Sequence, residues 1–374
     1  MTSRILRAAA IAVAAAVLAV PAPPAQAGAG PAIAQASPQA TINVKTVLAN
    51  RTWPAAFTFG PHGTLYFANR MTGQIRFRDV HGTYHTVFTV PNVVTNGEQG
   101  LLGIAVGPAW PTPAYMYAYA TRNISGTLRN QILRIKVTKG VGRSFTIIFS
   151  SPTVAGQYHD GGRIMFGPDG KLYAIVGDAH TDANAQNMAT SAGKILRMNA
   201  NGSAPGDNPL GGRIFTRGVR NSFGFTFDPE TSRLWETENG PDCNDELNQF
   251  DNGANGGWGS NENCDGTSPN DTNNSGPTPI TMPLSWWTPT IAPTGAAFCP
   301  VAGCGLTGYE GDLFFGSYNQ DNIRAVTLTP DRLGINTINT VVTRTSGILS
   351  MERNPVNSHL YFSTQNGVFE LVGG

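Results

Sequence analysis

Charge is scarce in this chain. Only 13% of its 374 residues are Asp, Glu, Lys or Arg, with 25 basic against 24 acidic side chains, where an average soluble domain carries about 25%. Lysine occurs at five positions and the formal charge is +1, which leaves no polybasic patch for nucleic acid or anionic lipid. The apolar run at the N-terminus, Ala8 to Val20, is about 13 residues, short of the ~20 that a membrane span needs. Also missing are a G-x-S-x-G elbow, a phosphate-cradling Walker loop, a G-x-G-x-x-G opening a helix and an H-E-x-x-H pair, so those hydrolase, nucleotide and zinc-protease chemistries have no foothold. What the chain has in quantity is Gly 44, Pro 26 and 40% apolar residues. That mixture suits many short strands joined by turns and is too hydrophobic for a disordered chain.

The first 27 residues read as a signal peptide rather than part of the fold. Arg4 and Arg7 precede the apolar run, and Ala25-Gln26-Ala27 is a small-x-small cleavage site. Export is therefore expected, with residues 28–43, rich in Ala, Pro and Gln, as a loose leader ahead of a single domain over residues 44–374. In an oxidising compartment the four cysteines, Cys243, Cys264, Cys299 and Cys304, favour two disulfides. Three connectivities exist, and proximity favours Cys243–Cys264 and Cys299–Cys304. A four-cysteine zinc site would be expected to carry a C-x-x-C pair, and none is present.

One phrase recurs along the chain. Phe59-Gly60-Pro61-His62-Gly63-Thr64-Leu65-Tyr66 returns as Phe166-Gly167-Pro168-Asp169-Gly170-Lys171-Leu172-Tyr173 and as Phe227-Asp228-Pro229 leading to Leu234-Trp235. Looser copies lead to Met116, Leu313 and Leu360. Each copy predicts a strand, a turn set by Pro and Gly, and a second strand. The spacing of the six second strands is that of a four-stranded sheet with its loops, and such units must stack or close into a ring. The fold predicted is all-β, a six-bladed propeller of four-stranded antiparallel blades; two sandwiches are the alternative. Residues 251–283 read as a long loop, and a turn of helix is possible near Met188–Leu196.

Three polar clusters lie beside predicted strand ends. Tyr158-His159-Asp160-Gly161-Gly162-Arg163 offers an imidazole suited to general-base work near neutral pH, or one that caps a turn. Asp178, after Val176-Gly177, could orient that imidazole or satisfy turn amides. Arg217-Gly218-Val219-Arg220-Asn221, with Glu238-Asn239-Gly240-Pro241-Asp242-Cys243-Asn244-Asp245-Glu246, is rich enough in oxygen for Ca²⁺, or is a solvated acidic loop.

At these residues the chain resembles the soluble glucose and aldose sugar dehydrogenases of the glucose/sorbosone dehydrogenase family. The shared motifs are His159-Asp160-Gly161-Gly162-Arg163, Gly177-Asp178, Gly218-Val219-Arg220-Asn221, Glu238-Asn239-Gly240-Pro241, Gly100-Leu101-Leu102-Gly103 and Trp287-Thr288-Pro289, and the likeness runs from about residue 50 to the C-terminus. It implies a six-bladed propeller using pyrroloquinoline quinone (PQQ) and Ca²⁺ to oxidise an aldose at C1 to the lactone, passing electrons to an acceptor. By the same resemblance His159 is the base, Asp178 its orienting partner, and Arg220 and Asn221 contact the quinone. The carbonyls of Gly240 and Pro241 hold the catalytic Ca²⁺. Asp245, Glu98 and Gln99 line the sugar side, and Glu246 with Gly256 belongs to a second Ca²⁺ site.

The chain departs from that pattern where the family holds quinone carboxylates. Gly316-Ser317-Tyr318-Asn319 and Gly347-Ile348-Leu349-Ser350 carry no Lys or Arg where the family has cations, leaving Asn319 as a neutral cofactor contact. A Ca²⁺-stabilised carbohydrate- or protein-binding propeller without redox activity is therefore the alternative, followed by a propeller lyase or hydrolase acting on polysaccharide.

Overall fold

The computed structural model describes residues 39–49, 53–259 and 279–374. Its strands form six four-stranded antiparallel sheets arranged as a six-bladed β-propeller. β1 (Ile42–Ala49) comes first in the chain. Blade one is β2 (Pro54–Phe59), β3 (Leu65–Asn69), β4 (Gln74–Arg78) and β5 (Tyr84–Thr89), and blade two is β6 (Leu101–Val106), β7 (Tyr115–Ile124), β8 (Thr127–Thr138) and β9 (Val141–Ser150). Blade three is β10 (Ile164–Phe166), β11 (Leu172–Val176), β12 (Lys194–Met198) and β13 (Ile214–Arg217), and blade four is β14 (Ser222–Phe227), β15 (Leu234–Glu238), β16 (Asp245–Phe250) and β17 (Ser285–Trp287). Blade five is β18 (Pro293–Phe298), β19 (Leu313–Ser317), β20 (Asn322–Leu328) and β21 (Ile335–Thr343). Blade six takes β22 (Ile348–Arg353), β23 (Leu360–Thr364) and β24 (Gly367–Gly373), and completes itself with β1, which pairs with β24 from Ile42↔Gly373 to Ala49↔Gly367. The two ends of the domain are thus tied in one sheet, which leaves no open ring edge.

The recurring phrase is the hairpin between the first and second strand of a blade. In blade one the Gly60 N–H donates to the Thr64 carbonyl at 2.9 Å, and Gly63 turns the chain at φ 76°. Blade three repeats it with Gly167 donating to Lys171 and Gly170 at φ 71°. Only glycine takes that left-handed conformation without a Cβ penalty.

Each blade has two apolar faces that it cannot bury alone, and each face is buried against a neighbour. Six apolar clusters among the described residues each join residues of two adjacent blades. Phe57 and Phe67 of blade one meet Leu48, Tyr361 and Val368 of blade six, while Tyr173 and Ile175 of blade three meet Phe225 and Phe250 of blade four. At about 1.5–3 kcal/mol for each fully buried large apolar side chain, these seams hold the ring together. Cys299–Cys304 is formed, its Cα atoms 5.2 Å apart, and lies in the seam between blades five and six. Cys243 is disulfide-bonded, while its expected partner Cys264 lies outside the described residues.

Some details differ from the sequence reading. The helical turn falls at Ala183–Gln186 rather than near Met188–Leu196, where turns lead into β12. Lys194 explains the position, because its buried ammonium donates to the carbonyls of Asn184, Ala185 and Ala192 and so holds the end of that turn. β1 begins at Ile42, ahead of the expected boundary at 44. Of the loop expected at 251–283, residues 251–259 and 279–283 carry no strand, and 260–278 lie outside the described residues.

Candidate active site

In four blades the start of the first strand pairs with the end of the second, at Pro54↔Asn69, Ser222↔Glu238, Pro293↔Ser317 and Ile348↔Thr364, and in the other two the second strand runs on two to four residues further. Residues just before a first strand and just after a second strand therefore collect at one mouth of the propeller. In five blades a register shift sits at that same end of the pairing. Such bulges re-aim side chains and are common beside active sites.

His159 precedes β10, and Asp178 follows β11. The imidazole Nδ1 donates to Asp178 Oδ1 at 2.7 Å, with the His159 side chain 7% exposed and that of Asp178 fully buried. Gly177 permits this approach, since a Cβ there would collide with the His159 carbonyl. The carboxylate is fixed in turn: the His180 backbone N–H donates to Oδ1 at 2.8 Å and Trp258 Nε1 donates to Oδ2 at 2.9 Å. A carboxylate only accepts, so Nδ1 carries the proton and Nε2 is left as the basic nitrogen. His159 holds a left-handed φ of 60°, and its backbone N–H donates to Glu98 Oε2 at 2.7 Å.

Beside this pair lies a cavity of about 440 Å³. Trp53, Tyr158, Phe223 and Tyr318 supply aromatic walls, and Arg70, Glu98, Arg163, Asn221, Asn239 and Asn319 supply charge and hydrogen-bonding groups. Asn221 Nδ2 donates to Glu98 Oε1 at 3.2 Å, which links blade four to the loop before β6.

Arg220 sits behind this wall. Its Nη1 donates to the Asn239 and Gly240 carbonyls at 2.8 and 2.9 Å, its guanidinium lies 5.2 Å over the Trp258 ring, and its backbone carbonyl accepts from Asp178 N. Asp245 is buried beneath the same turn, its oxygens accepting from the backbone N–H groups of Gly240, Ile291 and Ala292 at 2.6–2.8 Å. Gln99 is buried and donates to the Gly156 carbonyl. Thus Glu98, Asn221 and Asn319 line the cavity, His159 and Asp178 adjoin it, and Arg220, Gly240 and Asp245 form its supporting layer. Neither Gln99 nor Pro241 lines it.

Glu246 and Gly256 fall elsewhere. Glu246 belongs to a buried acidic group on blade four, where Asn248 Nδ2 donates to Glu236 and Glu246 at 3.0 Å each, and Glu238 pairs with Glu246 across β15 and β16. Burial raises the Glu236 and Glu238 carboxyls, and each also has a buried oxygen with no hydrogen-bond partner among the described residues. The Gly256 N–H donates to the Arg217 carbonyl. Among the described residues no three His, Cys, Asp or Glu side chains converge as a metal-holding group.

The sequence reading missed Trp258, Arg70 and the role of Arg163. Trp258 closes the Asn255-Gly256-Gly257-Trp258 turn, and Arg70 directly follows β3, the position that Asn239 and Tyr318 occupy after β15 and β19. Aligning the repeat copies to their ends would have exposed that position.

The profile of the Glucose / Sorbosone dehydrogenase family matches residues 51–368. Quinoprotein glucose dehydrogenase B of Acinetobacter calcoaceticus is 32% identical over 253 residues, 57% of this chain and 52% of that one. Aldose sugar dehydrogenase YliI of Escherichia coli is 27% identical over 230 residues, 59% of this chain and 62% of that one. The chain therefore spans about half to three-fifths of the length of these curated relatives. The PQQ-bound form of aldose sugar dehydrogenase from Streptomyces coelicolor superposes with a TM-score of 0.74 at 26% identity, covering 90% of this chain and 99% of that one. With the match running through every blade of the propeller, this chain belongs to the glucose/sorbosone dehydrogenase family.

Proposed function

We propose that the protein is an exported quinoprotein sugar dehydrogenase that oxidises an aldose at C1 to the lactone with PQQ and Ca²⁺. The observation that carries this is the buried His159–Asp178 pair beside a cavity that combines aromatic walls with two arginines and three asparagines. That lining suits a flat, polycarboxylated quinone: aromatic faces for the rings, guanidinium and amide donors for the oxygens. When bound, PQQ would supply a two-electron, hydride-accepting carbonyl. The protein's own part is proton removal and positioning. His159 Nε2 takes the C1 hydroxyl proton, and Asp178 holds the tautomer and stabilises the imidazolium that results. Glu98 offers acceptors to sugar hydroxyls from the cavity wall.

Ca²⁺ enters this reading through the carbonyls of Gly240 and Pro241. The Gly240 carbonyl already accepts from Arg220, and two carbonyls fall short of the six to eight oxygens that Ca²⁺ takes. The described residues make no preformed calcium cage, so the ion would depend on oxygens from the bound ligand and water. Export, with cleavage after Ala27 ahead of one propeller whose first strand begins at Ile42, is supported by the Cys299–Cys304 disulfide. No helix of the described residues is long and apolar enough to cross a membrane.

One observation favours the non-redox binding propeller instead: Asn319 and Leu349 line the cavity where the resemblance calls for cations. Loading the purified protein with PQQ and Ca²⁺ and following dye reduction with glucose and other aldoses separates the two. Sugar-dependent reduction with lactone as product is expected; no binding of PQQ and no reduction on any aldose would overturn this reading in favour of the binding propeller.

A further inference from the structure

Two guanidinium groups face the cavity without a carboxylate partner. Arg163, just before β10, is buried, and its Nη2 donates to the Leu349 carbonyl on β22 at 3.2 Å. Among the described residues this carbonyl is the one protein acceptor found for its guanidinium, which offers five donors. Arg70 donates to the Gly97 carbonyl and lies 4.8 Å over the Trp53 ring. Among the described residues, neither arginine has a carboxylate within ion-pair distance. Burial lowers both, Arg163 to about 10, against an opposing pull from Glu352 on Arg163 and from Glu98, Tyr318 and Asp160 on Arg70. A buried cation with open donors is costly unless an anion meets it.

The geometry also answers the missing cations. Arg163 reaches from blade three to the sixth-blade segment in which Leu349 supplies no charge, and Arg70 enters from blade one. We infer that Arg163 and Arg70 form the anion-holding wall of this cavity, taking the carboxylates of a planar polycarboxylate ligand in place of cations from the loops 316–319 and 347–350. This rests on the quinone reading for the ligand's identity, while the anion wall itself rests on the two arginines.

The test is equilibrium binding to the whole purified protein, read by calorimetry and by ligand-induced shift of melting temperature. The probes are PQQ, its trimethyl ester and benzene-1,3,5-tricarboxylate. Arg163→Met should weaken PQQ about 10- to 100-fold, the range for one charge-assisted bond. Arg70→Met should weaken PQQ in the same direction, and Arg163→Lys should fall between, because it keeps charge but not the fork. The ester should bind the native protein more weakly than PQQ does and be nearly indifferent to Arg163→Met. Removing an unpaired buried cation should not lower the melting temperature of the ligand-free protein, and Arg70→Met serves if Arg163→Met fails to fold. Native PQQ binding that both methionine variants keep within about 2-fold would overturn the arginine wall and leave the quinone reading standing. Arginine-dependent binding of the tricarboxylate with none of PQQ would do the reverse. Binding of neither would overturn both.

Discussion

Asp178→Asn is the sharpest perturbation of the proposed chemistry, because it keeps the shape of the side chain and removes only its charge and one acceptor. The carboxylate receives three donors: His159 Nδ1 at 2.7 Å and His180 N at 2.8 Å on Oδ1, and Trp258 Nε1 at 2.9 Å on Oδ2. An amide has one acceptor oxygen and cannot serve both sides. With that oxygen toward Trp258, the NH₂ group faces His159 and forces the ring proton onto Nε2, which abolishes the base. With the oxygen toward His159, the NH₂ group meets the indole N–H, donor against donor, in a fully buried position. The first arrangement also sets the His180 N–H against the NH₂ group, and the second leaves the buried indole N–H unpaired, at about 1–3 kcal/mol. Neither retains the charge that stabilises the imidazolium. Turnover in the dye-reduction assay should fall about 10²- to 10⁴-fold, the usual contribution of a general base. KM and PQQ affinity should change little, since Asp178 does not line the cavity, and His159→Ala should show the same split. A variant whose kcat stays within about 3-fold of native, with the fold intact by circular dichroism, would remove the pair from the mechanism.

Other measurements probe the remaining assignments. Introducing cations by Asn319→Lys and Leu349→Arg together should tighten PQQ at least about 10-fold by calorimetry; an unchanged or weaker dissociation constant would show that these positions do not face the quinone carboxylates. Burial raises Asp160 and Glu352, each to about 7, and Glu236 and Glu238 in the same direction. For Asp160, Glu352 and Glu236 the folded state thus binds more protons than the unfolded chain between their ordinary values and about 7, so the stability they contribute is full at low pH and lost as pH rises through that window, and Glu238 acts with the same sign. Urea midpoints of chelator-treated protein should therefore fall from pH 5 to pH 7.5; Lys194, lowered to about 7 by burial and Arg217, acts with the opposite sign only above that. A midpoint that rises or stays level would contradict the placement of these carboxyls. Replacing Cys299 and Cys304 by Ser should cost about 2 kcal/mol for so short a loop and lower the melting temperature, while peptide mapping should recover Cys243 joined to Cys264; a crossed pairing would refute that connectivity.

The amino-acid sequence by itself determined the blade. Its information is local: Pro and Gly set the hairpin turn, and alternating apolar residues set the strand. For that reason Leu65, Met116, Leu172, Leu234, Leu313 and Leu360, picked from the repeats, all fall on the second strand of their blades. The candidacy of His159 and Asp178 was legible in the same way, because both sit at strand ends marked by glycines. Their hydrogen bond was implied by the family resemblance but left open by the residues themselves, since nothing local distinguishes an Asp that orients an imidazole from one that satisfies a turn. Ring closure decided the rest. It brought β1 to β24 across the whole domain, set Trp258 against Asp178 from 80 positions away, and led Arg163 to the Leu349 carbonyl 186 positions on. It also turned Asp245 onto backbone amides, a role that an acidic residue in a loop-like run does not announce. Contacts between blades depend on the angle at which six sheets meet around an axis, and that angle comes from side-chain packing in the seams between blades, which no single stretch of sequence encodes.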